Sequence, residues 1–272
     1  MSRIQELRRG RLRFQVRDEG PVDGATVVLL HGFPQEGSSW DAVVPTLHGA
    51  GLRTLVPDQR GYSPGARPPG RAAYRTNFLV ADVLALLDAA GLERAHLVGH
   101  DWGGLVGWAL AAAHPDRIAT YTAVSTPHPQ ALARATLRSA QLLRSSYMGF
   151  FQLPRLPEAT LGPRLDRALR AAGLPEGAAA RYAARMREPG ALTAALNWYR
   201  AVPLQRSKVG PVRVPTTFVW GDRDPALGRT AAELTAEHVE APYRFVVLDA
   251  GHWLPEREPT EVAALIVEQV TG

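Results

Sequence analysis

Cysteine is absent from the 272 residues, which excludes disulfides, thiolate catalysis and cysteine-ligated metals. Lysine is almost absent: Lys208 stands alone, so the net charge of +5 at pH 7 is carried nearly entirely by arginine. Those arginines are interspersed with acids, as at Arg164, Asp166, Arg167 and Arg170. That is the pattern of a solvated helix face, without the clustering or aromatic interleaving of a nucleic-acid surface. No apolar run approaches the length of about 20 residues that spans a bilayer. Residues 1–14 mix Arg, Glu and Gln with isolated apolar side chains and lack the continuous apolar stretch of a secretion signal. No membrane, no nucleic acid and a cytoplasmic location are the resulting expectations. The eight histidines show no paired metal-ligand spacing, so neither a metal nor an organic cofactor is expected.

What the chain does have is 46% hydrophobic residues, enough for one sizeable core. Short apolar runs bounded by Gly and Pro recur at Ala25–Leu30, Arg53–Pro57, Ala95–Gly99, Thr216–Trp220 and Arg244–Leu248, and read as buried strands. Between them lie helical stretches such as 76–90, with Phe78, Leu79, Val83, Leu86 and Leu87 near a 3.6-residue period. Strands alternating with helices predict a mostly parallel sheet flanked by helices, an α/β fold with its active site beyond the carboxyl ends of the strands. Residues 129–210 break this rhythm. They are rich in Ala, Leu and Arg, helical in period, and punctuated by Pro154, Pro157, Pro163, Pro175 and Pro189. This length far exceeds ordinary connections. It is expected to be an inserted helical cap, with 1–128 and 211–272 forming the core.

The strongest chemical signal is Leu97-Val98-Gly99-His100-Asp101-Trp102-Gly103-Gly104. Small residues stand two before and two after a central position, between a strand and a helix. That is the nucleophile-elbow pattern. Its central residue is an aspartate. A carboxylate attacking an acyl carbon gives a mixed anhydride, a poor intermediate; attacking a saturated carbon it gives an ester that water can cleave. Asp101 therefore points to epoxides or carbon–halogen bonds, unless it serves only as a helix N-cap. Gly61-Tyr62-Ser63-Pro64-Gly65 formally matches a serine-nucleophile motif, but Pro64 has no N–H to offer an oxyanion, so Ser63 is read as a loop residue. His252, in Ala250-Gly251-His252-Trp253, is last in the chain order nucleophile, acid, histidine. Trp220-Gly221-Asp222-Arg223-Asp224 supplies the acid. Asp224 is favoured over Asp222, because the further position lets the loop reach the histidine.

The elbow Gly-His-Asp-Trp-Gly-Gly, the turn His31-Gly32-Phe33-Pro34, the stretch Asp58-Gln59-Arg60-Gly61-Tyr62-Ser63, the acid segment and Gly251-His252 together resemble the α/β-hydrolase-fold epoxide hydrolases, over almost the whole chain. The core motifs are shared with haloalkane dehalogenases. The resemblance implies an oxyanion hole from the backbone N–H groups of Phe33 and Trp102. It also implies two cap tyrosines, one shortly before a Phe-Gln-x-Pro stretch and one inside Asn-Trp-Tyr-Arg. Tyr147, before Phe151-Gln152-Leu153-Pro154, and Tyr199, in Asn197-Trp198-Tyr199-Arg200, stand in those contexts. Opening an epoxide creates an alkoxide that needs proton donors, a role suited to phenols with pKa near ~10. The expected function is hydrolysis of a small-molecule epoxide to a vicinal diol through an Asp101 ester. The alternatives are a haloalkane dehalogenase, for which Trp102 and Trp198 are candidate halide donors, and a degenerate hydrolase fold that only binds a small ligand.

Overall fold

The computed structural model describes residues 3–272. Eight strands form one sheet in the order β1-β2-β4-β3-β5-β6-β7-β8. They are β1 Glu6–Arg9, β2 Leu12–Glu19, β3 Thr26–Leu30, β4 Arg53–Pro57, β5 Ala95–His100, β6 Ile118–Val124, β7 Thr216–Gly221 and β8 Tyr243–Leu248. From β3 onward every pairing within the sheet is parallel, while β1 and β2 form an antiparallel edge. The expected α/β architecture is present, and the five strands read from apolar runs all exist. Strands β1, β2 and β6 were not anticipated. The first two are arginine-rich and bury only alternate side chains, Leu7, Phe14, Val16 and Asp18. They carry a period-two signal that a search for continuous apolar runs passes over.

The central strands are apolar throughout because both of their faces are covered. Val27 and Leu29 of β3 pack on one side with Trp40, Leu254 and Ile266. Val28 and Leu30 pack on the other with Val106, Trp108 and Tyr121. The edge is tied in by a buried ion pair: Arg53 of β4 donates through Nε and Nη2 to both carboxyl oxygens of Asp18 on β2, at 2.8 and 2.6 Å.

Between β6 and β7 the chain runs through helices, among them Pro129–Arg138, Ser146–Phe151, Glu176–Met186 and Ala191–Ala201, and the described residues there contain no strand. The two ends of this excursion meet. His128 accepts the Gln130 N–H at Nδ1 (3.2 Å) and donates from Nε2 to the Gly210 carbonyl at 3.1 Å. Burial and the neighbouring His238 hold this imidazole down to about 4, so it keeps the neutral tautomer that those two bonds require. No helix among the described residues is long and apolar enough to cross a membrane.

Candidate active site

Four strands deliver the chemistry at their carboxyl ends. His31-Gly32-Phe33-Pro34 follows β3, Asp101 follows β5, Asp224 follows β7 and His252 follows β8. Asp101 sits at φ +51°, ψ −118°, a strained conformation for a residue with a Cβ. The surroundings impose it. The Asp101 carbonyl accepts from Thr126 Oγ1 (2.8 Å) and from Leu105 N–H (3.1 Å). The glycines of the elbow are required by close approach: a Cβ on Gly99 would lie 2.3 Å from the Gly103 carbonyl oxygen, and one on Gly103 would lie 2.3 Å from that of Leu30. Asp101 occupies the position before the helix Trp102–Ala113, yet its carboxylate makes no capping bond to that helix. The simple N-cap explanation of this aspartate therefore fails.

The carboxylate is aimed at the site instead. Its Oδ1 accepts the Phe33 N–H at 2.7 Å, and its Oδ2 lies 3.7 Å from His252 Nε2. The other imidazole nitrogen, Nδ1, lies 2.7 Å from Asp224 Oδ2, and Asp224 Oδ1 accepts from the backbone N–H of Ala226 and Leu227 at 2.8 and 3.0 Å. Asp222 is exposed, with its amide bonded to the Leu248 carbonyl. Burial works against a charge on Asp101, but His252 and the Phe33 N–H outweigh it and hold the carboxyl below its ordinary value. Burial alone would depress the His252 imidazole. Asp224 and Asp101 overcome that and push it up to about 10. An ionised carboxylate thus faces an imidazole that is protonated at rest, with a gap beyond hydrogen-bond length between them.

A cavity of about 480 Å³ opens over this pair, lined by Asp101, His252, Phe33, Trp102, Tyr147 and Tyr199, with Leu105, Met148, Phe151, Leu169 and Trp253 making it largely apolar. The two tyrosine rings lie 6.0 Å apart, and Tyr199 packs edge-on against both Phe33 (5.3 Å) and Trp102 (4.7 Å). Burial, reinforced by the charge of Asp101, raises both phenols above their ordinary value, so each keeps its proton until a strong base appears. The flanking residues of the two tyrosine motifs hold them together. Gln152 Nε2 donates to the Tyr199 carbonyl at 2.9 Å, and Arg200 donates to the carbonyls of Phe151 and Leu153 while pairing with Glu158.

The indole N–H of Trp198, a candidate halide donor, is already engaged. The ring is buried, and its N–H donates to the Arg60 carbonyl at 2.8 Å. That bond pins the helix Ala191–Ala201 to the loop after β4, where Arg60 is itself held by both oxygens of Asp82. Ser63 is also structural: its buried hydroxyl donates to the Asp58 carbonyl and accepts the Gln15 N–H. Trp102, at the first position of its helix, has an N–H with no intrahelical acceptor. Among the described residues no cluster of His, Cys, Asp and Glu is arranged to hold a metal. The sequence reading did not single out Gln35 or Glu256, nor His100 as more than a member of the elbow. All three lie in one hydrogen-bonded line that reaches the Gly32 N–H and the His252 carbonyl. The only sequence signal for them is proximity, Gln35 next to the Phe33-Pro34 turn and Glu256 one helical turn beyond His252.

Gly32 allows another close approach in the site, since a Cβ there would lie 2.4 Å from the Asp101 Cβ. A Gly32→Ala variant is expected to lose turnover by about 10²-fold or more, because an ångström of displacement at a reacting group costs that much. Steady-state rates against the parent, with near-ultraviolet circular dichroism as a check on folding, test this.

Residues 25–259 match the family described as the alpha/beta hydrolase fold. The sequence is 37% identical to the AB hydrolase superfamily protein YfhM of Bacillus subtilis, with 94% of each chain covered. It is 36% identical to epoxide hydrolase A of Mycobacterium tuberculosis, covering 96% of this chain and 95% of that one. The chain belongs to the epoxide hydrolase family of the α/β hydrolase fold. Its structure superposes on epoxide hydrolase A from Mycobacterium thermoresistibile with a TM-score of 0.86, at 31% identity and over 98% of this chain and 97% of the other. This membership makes the protein a hydrolase and places the site above in a family context without assigning its individual residues.

Proposed function

We propose that the protein hydrolyses a small-molecule epoxide to a vicinal diol through a covalent ester on Asp101. The observation that carries this reading is the placement of two protonated phenols, Tyr147 and Tyr199, in the same cavity as an ionised carboxylate at a strained elbow. Asp101 attacks an epoxide carbon while the phenols hydrogen-bond the ring oxygen. As the C–O bond breaks, a phenol transfers its proton to the developing alkoxide, a stronger base than phenolate. The ester carbonyl oxygen then occupies the position now held by Asp101 Oδ1, against the Phe33 N–H, with the Trp102 N–H as second donor of the oxyanion hole. His252, oriented by Asp224, takes a proton from water entering the gap beside the ester, and water attacks the ester carbon. The tetrahedral intermediate collapses with cleavage of the ester C–O bond, the departing diol oxygen takes the proton of the carboxyl group left behind, and the phenolate regains its proton from the one that His252 gives up on alkylation. Residues 129–210 act as a cap that carries both tyrosines over residues 1–128 and 211–272.

A departing halide is a weak base that needs donors and no proton. Trp198 is committed to Arg60, so a halide site would retain only Trp102 of the indole donors named above. A turnover screen over aryl epoxides, aliphatic epoxides and haloalkanes tests the assignment. Diol formation from at least one epoxide class, without halide release from the haloalkanes, is expected. Halide release with inert epoxides would overturn it.

A further inference from the structure

Between the Gly32 N–H and the His252 carbonyl runs a line of buried polar side chains that the reaction above does not touch. Gln35 is fully buried. Its Oε1 accepts the Gly32 N–H at 2.9 Å and lies 2.8 Å from His100 Nδ1, while its Nε2 donates to Glu256 Oε1 at 2.7 Å. Chemistry fixes the orientation of this amide, because only its oxygen can face the Gly32 N–H. The Tyr182 hydroxyl donates to the same Glu256 oxygen at 3.0 Å. The second carboxyl oxygen of Glu256 is sealed from solvent and has no hydrogen-bond partner. On the far side, His100 Nε2 lies 2.9 Å from the carbonyl of His252, which also accepts from the Ser125 hydroxyl at 2.8 Å. One branch of the line therefore ends on the turn that presents the Phe33 N–H, and the other on the backbone of His252.

A half-satisfied carboxyl in the interior is costly to keep, and packing offers no account of it, since an apolar side chain would fill the space without an orphaned oxygen. We propose that Glu256 is a positioning residue for the ester-hydrolysis step, acting as a carboxylate that clamps the Gln35 amide and, through it, the Gly32–Phe33 turn that presents the Phe33 N–H. This inference rests on the covalent mechanism above. A charged acceptor bonds an amide donor more strongly than a neutral one, so protonation of Glu256 slackens the clamp.

Burial pushes Glu256 up to about 7, with the bonds from Gln35 and Tyr182 and the charge of His252 acting in the other direction. The groups around it do not mask this ionisation. Tyr182 holds its proton, pushed up chiefly by burial, and Arg181 lies over the outer face of that ring. His100 is held down to about 4, mainly by burial. The turn Gly37–Trp40 packed on this side carries no charge. Arg257, Glu261 and Glu268 on the two flanking helices are exposed, and Glu258 is partly so. The sign follows: the clamp holds above pH 7 and is lost as pH falls through that value.

Rapid-quench intact-mass measurements with styrene oxide, resolving formation and breakdown of the covalent adduct between pH 6 and 9, test the assignment. Glu256→Gln keeps an acceptor for Gln35 and Tyr182 but cannot titrate. As a permanently neutral acceptor it is expected to break down the adduct about 3-fold more slowly than the parent at pH 8.5 and to lose the ionisation near pH 7, leaving only the limb due to His252. Glu256→Leu removes the acceptor and is expected to slow breakdown by about 10-fold at pH 8.5, a misplacement effect, while adduct formation changes by less than about 3-fold. Breakdown in Glu256→Leu at the parent rate, or an unchanged acid limb in Glu256→Gln, would overturn the role of Glu256. Absence of any adduct in all three proteins would instead overturn the covalent mechanism, and this inference with it.

Discussion

Replacing Tyr147 and Tyr199 together by phenylalanine is expected to lower epoxide turnover by at least about 10³-fold, within the range that general-acid catalysis supplies. The cavity lining is largely apolar, and His252 is engaged with Asp101 and Asp224. With both phenols gone, the alkoxide meets only an imidazolium that two carboxylates hold. Each single replacement leaves one donor and is expected to cost less, about 10-fold to 10²-fold. The fold should survive, because neither hydroxyl supports the core and the packing of the two rings against Phe33, Phe151 and Trp102 is unchanged in phenylalanine. Steady-state turnover of the three variants, with thermal melts as the folding control, decides it. A double variant with near-parent turnover would remove both tyrosines from the mechanism.

A His252→Gln variant is expected to stop halfway. The attack of Asp101 needs no base, since an ordinary aspartate ionises near ~3.9 and this one is held lower. Breakdown of the ester does need one. At rest two carboxylates hold the proton on His252. Alkylation turns Asp101 into a neutral ester, removes one of them, and lets the imidazole give up that proton and then accept another from water. Glutamine cannot accept a proton. Turnover should fall by about 10³-fold or more, as on loss of the base in other nucleophilic triads. Intact mass should show the enzyme increased by the mass of the epoxide. An unmodified mass, with substrate binding demonstrated, would contradict this division of labour.

The parallel core was legible in the sequence because strands buried on both faces write continuous apolar runs such as Thr26–Leu30 and Thr216–Gly221. The arginine-rich hairpin Glu6–Arg9 and Leu12–Glu19 was not, since only alternate residues meet the core. The Ala- and Thr-rich strand Ile118–Val124 lacked the bulk that marks its neighbours. At the site, Asp101 was legible from the glycines that a tight elbow demands. The approach of His252 to Asp224 follows from loops at the ends of neighbouring strands β7 and β8. The network of Gln35, His100 and Glu256 was not legible, because Gln35 and Glu256 are 221 positions apart and no local pattern records a long-range hydrogen bond between common residue types. The bond from Trp198 to Arg60 was not legible for the same reason: its sequence context cannot say that its N–H is already taken.

The central claim is that Asp101 bonds to carbon, and the origin of the incoming oxygen tests it most directly. In a single turnover with enzyme in excess over epoxide in ¹⁸O-labelled water, the oxygen added to the first diol comes from the Asp101 carboxylate. Water, activated by His252 and attacking the ester carbon against the Phe33 N–H, replaces that oxygen in the enzyme. Any epoxide that is turned over will serve, so the natural substrate need not be known. The account predicts ¹⁸O in the peptide that contains Asp101 and none in the first-turnover diol; label in that diol with none in the peptide would contradict it.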